Sequence, residues 1–126
     1  LYARRQRQMC IRDRLEAAVA ARAADLGAEI QAFQSNHEGE LIDALHAAGK
    51  SCQGVVFNPG GFSHTSVALR DAVEAIQVPV VEVHISNIHG REPFRRTSLT
   101  AAAAKACVSG LGLQGYLSAL EALLDS

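Results

Sequence analysis

The sequence predicts an α/β domain: a parallel sheet covered by helices on both faces. Three observations carry that prediction. Helix-like and strand-like segments alternate along the chain. The strand candidates are short apolar runs rich in valine, as in strands buried on both sides. Glycine or Pro-Gly turns separate the segments. At 126 residues, the chain amounts to about one domain.

The elements follow in order. Residues 14–26 read as a helix, with Leu15, Val19, Ala23 and Leu26 on one face and Gly27 as the stop. Residues 28–34 (AEIQAFQ) read as a short strand with Ile30 and Phe33 inward. A helix is predicted over 39–48, carrying Leu41, Ile42 and Leu45 and ended by Gly49. Gly54-Val55-Val56-Phe57 is a buried strand, stopped by Asn58-Pro59-Gly60-Gly61. Residues 66–76 are the next helix and 78–84 (VPVVEVH) the next strand. A polar loop occupies 85–100. Residues 101–109 suit a helix at their alanines and a buried strand at Cys107 and Val108. Gly110, Gly112 and Gly115 precede a terminal helix marked by Leu117, Leu120, Leu123 and Leu124. The domain opens on a helix, where such folds usually open on a strand.

Composition narrows the function. With 12 basic and 13 acidic residues, a generally basic nucleic-acid binder is disfavoured. No apolar run approaches the ~20 residues of a membrane span. Cys10, Cys52 and Cys107 are widely spaced and form no CxxC or His/Cys ligand cluster. Free thiols in a reducing cytoplasm are expected, with Cys107 as a small core residue. Residues 1–14 stand apart, holding five arginines and one acid. They are read either as a basic arm for nucleic acid or an anionic surface, or as no part of the domain. The stretch RQMCIRDR looks like translated sequencing-adapter read-through. The predicted division is therefore 1–14 as an unmatched segment and 15–126 as the domain.

Ligands of open parallel sheets bind beyond the carboxyl ends of the strands. Asn36, His37 and Glu38, then Asn58 and His64, then Glu82, His84 and Ser86 all fall there. Polar loops are ordinary at such edges, so each residue alone has a bland reading. His84 is the sharpest case. Two residues after Glu82, it shares a strand face with that carboxylate, which can favour the protonated imidazole of a general acid. A purely structural His–Glu pair fits the spacing equally well. The glycines of Asn58-Pro59-Gly60-Gly61 let backbone N–H groups approach a ligand, although no phosphate-loop spacing is present. Arg91, Arg95 and Arg96 suit a carboxylate. Asp71 alone reads as a solvated helix charge.

Together, QSNHEGELID (34–43), FNPGGFSHTSVALRDA (57–72), VEVHISNIHGREPFRR (81–96) and GLGLQGY (110–116) resemble type II 3-dehydroquinate dehydratase. The resemblance runs in order from about Leu15 to the C-terminus. It implies a flavodoxin-like three-layer sandwich and a dodecamer of four trimers. It implies no metal or cofactor, no nucleic acid and no membrane. The implied reaction eliminates water from 3-dehydroquinate to give 3-dehydroshikimate, in the shikimate pathway or quinate catabolism, in the cytoplasm. Under this resemblance His84 is the acid that protonates the departing C1 hydroxyl, and Glu82 orients it. Asn58 helps hold that hydroxyl. Ile85 and Ser86 take the substrate carboxylate, His64 and Arg95 grip ring hydroxyls, and Gly60 lies beside the substrate. Asp71 serves a neighbouring subunit's site, which displaces its reading as a surface charge.

The resemblance also marks departures. The family's first strand, ending in a motif like Asn-Gly-Pro-Asn-Leu-Asn-Leu-Leu-Gly, has no counterpart here. Neither does the lid that follows it, with an arginine and a tyrosine base. Tyr2 and Tyr116 match neither position of the lid. Thr97-Ser98-Leu99 lacks the usual aromatic. The expectation is an N-terminally truncated member, with residues 28–34 and 53–57 deprived of the strand between them. Low activity is expected of it. The alternative is a non-catalytic ligand-binding or assembly fragment that keeps the carboxylate pocket.

Overall fold

The computed structural model describes residues 15–124. Two compact units divide the chain, residues 1–32 and 33–126. In the first, the described residues form one helix, α1 (15–25), whose less exposed side carries Leu15, Val19 and Ala23. It closes at Gly27, where the N–H of Ala28 donates to the carbonyl of Ala23 at 2.8 Å.

The second unit holds α2 (Glu38–Ser51), β1 (Val55–Phe57), α3 (Val67–Ala75), β2 (Val80–His84), β3 (Ala106–Ser109) and α4 (Gln114–Leu124). Its strands form a parallel sheet in the order β1-β2-β3, with Val55 opposite Val80 and His84 opposite Ser109. Alternation along β2 divides the packing between two layers. Val80 joins Leu45, Phe57, Leu69, Ala72 and Val73 beneath α2 and α3. Val81 and Val83 join Ala119 on the face of α4. This is the predicted α/β arrangement, with β2 buried along its whole length. Each fully buried valine or leucine of these clusters contributes ~1.5–3 kcal/mol. Ser66 starts α3 by accepting a 2.9 Å hydrogen bond from the N–H of Leu69. Among the described residues, no helix is long and apolar enough to cross a membrane.

Several expectations change. Residues 28–34 form no strand, and Phe33 is 60% exposed rather than inward. A strand is held by ladder hydrogen bonds to a neighbour, and among the described residues none forms along this segment. Gly49 does not end α2, which continues to Ser51. It allows a close approach instead, since a Cβ there would sit 2.8 Å from Cγ2 of Ile76. The ambiguous stretch 101–109 resolves into turns followed by β3. Cys107 is exposed rather than a core residue, because β3 is an edge strand whose first half is open. The loop after β2 contains two short 3₁₀ turns, Ile88–Gly90 and Pro93–Arg95. The basic segment, its predicted boundary at residue 14, Tyr2 and Cys10 lie outside the described residues.

Candidate active site

The carboxyl ends of β1 and β2 open into a cleft of about 200 Å³. Its lining includes Asn58, Gly60, His64, His84, Ile85, Ser86 and Arg95 from the sequence-predicted set. Gly61, Ile88 and Arg91 join them. Glu82 stands behind His84 in the protein interior, with no exposed surface. Two parts of the expectation fall outside. Asn36, His37 and Glu38 do not line this cleft, and Asp71 is exposed on α3 away from it.

Consecutive inward positions of β2 bring Glu82 and His84 together. Nε2 of His84 lies 2.7 Å from Oε2 of Glu82. An ionised carboxylate only accepts, so Nε2 carries the proton and Nδ1 remains for exchange with a ligand. Burial alone pushes the Glu82 carboxyl up. Hydrogen bonds from His84, Ser98 and Thr100, with the charge of His84, outweigh it and hold the group below its ordinary 4.5. The buried glutamate is therefore an anion at neutral pH.

Cys107, opposite Glu82 in the ladder, places Sγ 3.9 Å from Oε2. Partial burial, then the nearby carboxylate, push this thiol up. Ligand atoms of Glu82, His84 and Cys107 all lie within 4.8 Å of one another. However, the His84–Glu82 contact of 2.7 Å has hydrogen-bond length, which an ion between them would have to open.

Asn58 is held at both ends of its amide. Oδ1 accepts from the N–H of Gly60 at 2.9 Å, and Nδ2 donates to the Tyr116 hydroxyl at 2.8 Å. His64 has Nδ1 2.8 Å from the Thr97 carbonyl, which can only accept. That fixes the proton on Nδ1 and makes Nε2 the acceptor of the neutral ring. The His64 and His84 rings lie 6.5 Å apart and within 20° of parallel.

Arg95 rests its guanidinium 5.0 Å from the centre of the Phe94 ring and 2.9 Å from Oε2 of Glu92. Its Nε is buried and, among the described residues, makes no well-aligned hydrogen bond. Arg91 donates to the Ser86 hydroxyl at 3.4 Å, a long contact. Two arginines and two imidazoles thus face the cleft, no carboxylate lines it, and the Glu82 anion is buried behind it. An anionic, hydroxylated ligand fits that distribution.

The loop after β2 is tied down by the turn after β3. Gly110 donates to the His84 carbonyl at 3.2 Å and Gly112 to that of Ile85 at 3.0 Å. Gly110 has φ +84°, and a Cβ there would sit 3.2 Å from Cβ of Asn87. Only glycine meets both demands without strain.

Sequence reasoning missed Ser98, Thr100 and the hold of Tyr116 on Asn58. Each acts across a long chain separation, which local spacing does not reveal. Arg91 was visible as one of three loop arginines, but nothing local separated it from its neighbours.

The family model for dehydroquinase class II matches residues 5–124, which takes in ten of the fourteen residues ahead of Leu15. The chain is 59% identical over 100 residues to 3-dehydroquinate dehydratase 1 of Agrobacterium fabrum, covering 79% of this chain and 69% of that protein. It is 55% identical over 104 residues to 3-dehydroquinate dehydratase of Halothermothrix orenii, covering 82% and 70%. Among solved structures, type II dehydroquinase from Propionibacterium acnes superposes with a TM-score of 0.86 at 36% identity, covering 90% of this chain and 84% of the other. The enzyme from Butyrivibrio crossotus gives 0.87 at 36%, covering 90% and 79%. The fold is thus that of type II dehydroquinases, and the chain belongs to the class II dehydroquinase family.

Proposed function

We propose that this chain acts as a 3-dehydroquinate dehydratase, a hydro-lyase converting 3-dehydroquinate to 3-dehydroshikimate, with His84 as its general acid. The observation that carries the reading is the buried Glu82 anion holding His84 at 2.7 Å on the wall of a cation-rich cleft. The C2 proton of the substrate lies beside a ketone, so its removal leaves an enolate. The C1 hydroxyl then departs as water, taking its proton from His84. Glu82 keeps the emptied imidazole in orientation and stabilises its charged form. Asn58 holds the departing hydroxyl, and its fixed amide supports that role. His64 and Arg95 take ring hydroxyls, with Gly60 beside them. Ile85 and Ser86 take the carboxylate, and the cationic cleft favours its charge.

The base is assigned by resemblance to a lid tyrosine. Tyr116 is not that tyrosine: it lies on α4 and does not line the cleft. The reading includes a cytoplasmic setting and assembly through trimers into a dodecamer. Asp71, exposed on α3, would then reach a neighbouring copy's cleft.

The test measures binding and turnover separately. Calorimetry should detect 3-dehydroshikimate binding to the 126-residue chain, and His64→Ala should weaken it. Enone absorbance should show turnover that falls ~10²–10⁴-fold in His84→Asn. Absence of product binding would overturn the site. Turnover unchanged in His84→Asn would overturn the acid.

A further inference from the structure

Two hydroxyls outside the cleft lining converge on its buried anion. Ser98 Oγ donates to Oε2 of Glu82 at 2.6 Å. Thr100 Oγ1 donates to the other oxygen, Oε1, in a short hydrogen bond. With His84 on Oε2, both carboxylate oxygens are engaged, and both Glu82 and Thr100 are completely buried. The two hydroxyls stand 3.2 Å apart. Each has one proton, and both protons go to the carboxylate. The segment is itself anchored: the N–H of Leu99 donates to the Ser63 carbonyl at 2.6 Å, and the Thr97 carbonyl holds His64. One stretch of four residues therefore reaches both histidines of the cleft, His64 directly and His84 through Glu82.

We propose that Ser98 and Thr100 are positioning residues for the dehydration, fixing the Glu82 carboxylate as an anion in the rotamer that presents His84 to the substrate. This rests on the dehydratase reading of the cleft. A buried carboxylate without donors would take up a proton and release the imidazole. Three donors prevent that here, two of which carry no charge and stay in place whatever the state of the ring. The other titratable group facing Glu82 is Cys107 on β3, whose thiol is pushed up and stays protonated on the acid side. Phe57 of β1 lies opposite Glu82 in the ladder and brings no charge. Ser98 also accepts from the N–H of Ala101 at 3.1 Å, so its removal loosens a turn as well. Thr100→Val is the cleaner change, since it keeps the shape and removes the hydroxyl.

The experiment follows the His84 ring by ¹⁵N spectroscopy in the 126-residue chain, assigned by the signal lost in His84→Asn. On acidification, the signature of Nε2–H bonded to the carboxylate collapses as Glu82 protonates. In Thr100→Val that collapse should occur about one to two pH units higher than in the parent chain, the size of one charged hydrogen bond. Ser98→Ala should move it in the same direction, and Thr100→Ser should restore it. In any variant that turns over, kcat should fall about tenfold with KM held. A midpoint unmoved in folded Thr100→Val would overturn the proposal. Should Thr100→Val not fold, an unmoved midpoint in Ser98→Ala would overturn it equally. The ring measurement needs no substrate. A chain that binds no product therefore refutes the dehydratase reading, whereas an unmoved ring refutes the brace.

Discussion

The two walls of the cleft are built differently. On one side Glu82 and His84 belong to a central strand paired on both edges, at 0% and 5% exposure. On the other side Arg91 and Arg95 belong to a loop of 3₁₀ turns, with Arg91 exposed and Arg95 half-buried. Proton transfer depends on angstrom-scale placement, which a buried strand supplies. Charge attraction acts over a longer range and tolerates a looser support. The rigid wall thus suits the chemistry and the open wall suits capture of the ligand.

That contrast is most exposed to His84→Ala. We expect turnover, followed by enone absorbance, to fall ~10²–10⁴-fold with product affinity nearly unchanged. Arg95→Ala should do the reverse, weakening 3-dehydroshikimate binding about tenfold in calorimetry. Equal effects on both quantities in both variants would erase the division between the walls.

A pH experiment sharpens the same point. The folded-state value of Glu82 lies below the ordinary 4.5. Its contribution to stability is therefore complete above about 4.5 and is lost as pH falls through the folded value. The parent chain should lose more stability than Glu82→Gln on acidification across that window, read as urea midpoints at each pH. Equal losses would mean that the carboxylate is not held as described.

The smallest effect concerns backbone opening. Amides of Val81 and Val83, in the doubly paired strand, should exchange slowest. Those of residues 28–34 should exchange fast, since no ladder protects them. Strong protection at 30–33 would contradict the irregular backbone described here.

These differences also explain what was legible in the sequence. Valine runs ending in polar residues marked β1 and β2, and the Glu82–His84 spacing marked the acid, because both are local patterns. AEIQAFQ has a similar local pattern but forms no ladder with any described residue, so it remains irregular. Cys107 looked buried for the same reason: its apolar neighbours are visible in sequence, while its place on an edge strand is not. Ser98 and Thr100 lie 16 and 18 residues from the carboxylate they engage, beyond any periodicity.

Gly110 shows how far the site extends beyond what a ligand touches. Its amide grips the strand terminus that bears the imidazole, and a methyl group on its left-handed backbone would press against Asn87. A Gly110→Ala replacement would thus read in a kinetic screen as a lesion of the acid, although the altered residue never meets the substrate. Efforts to redesign this enzyme would do well to treat that turn as part of its chemistry.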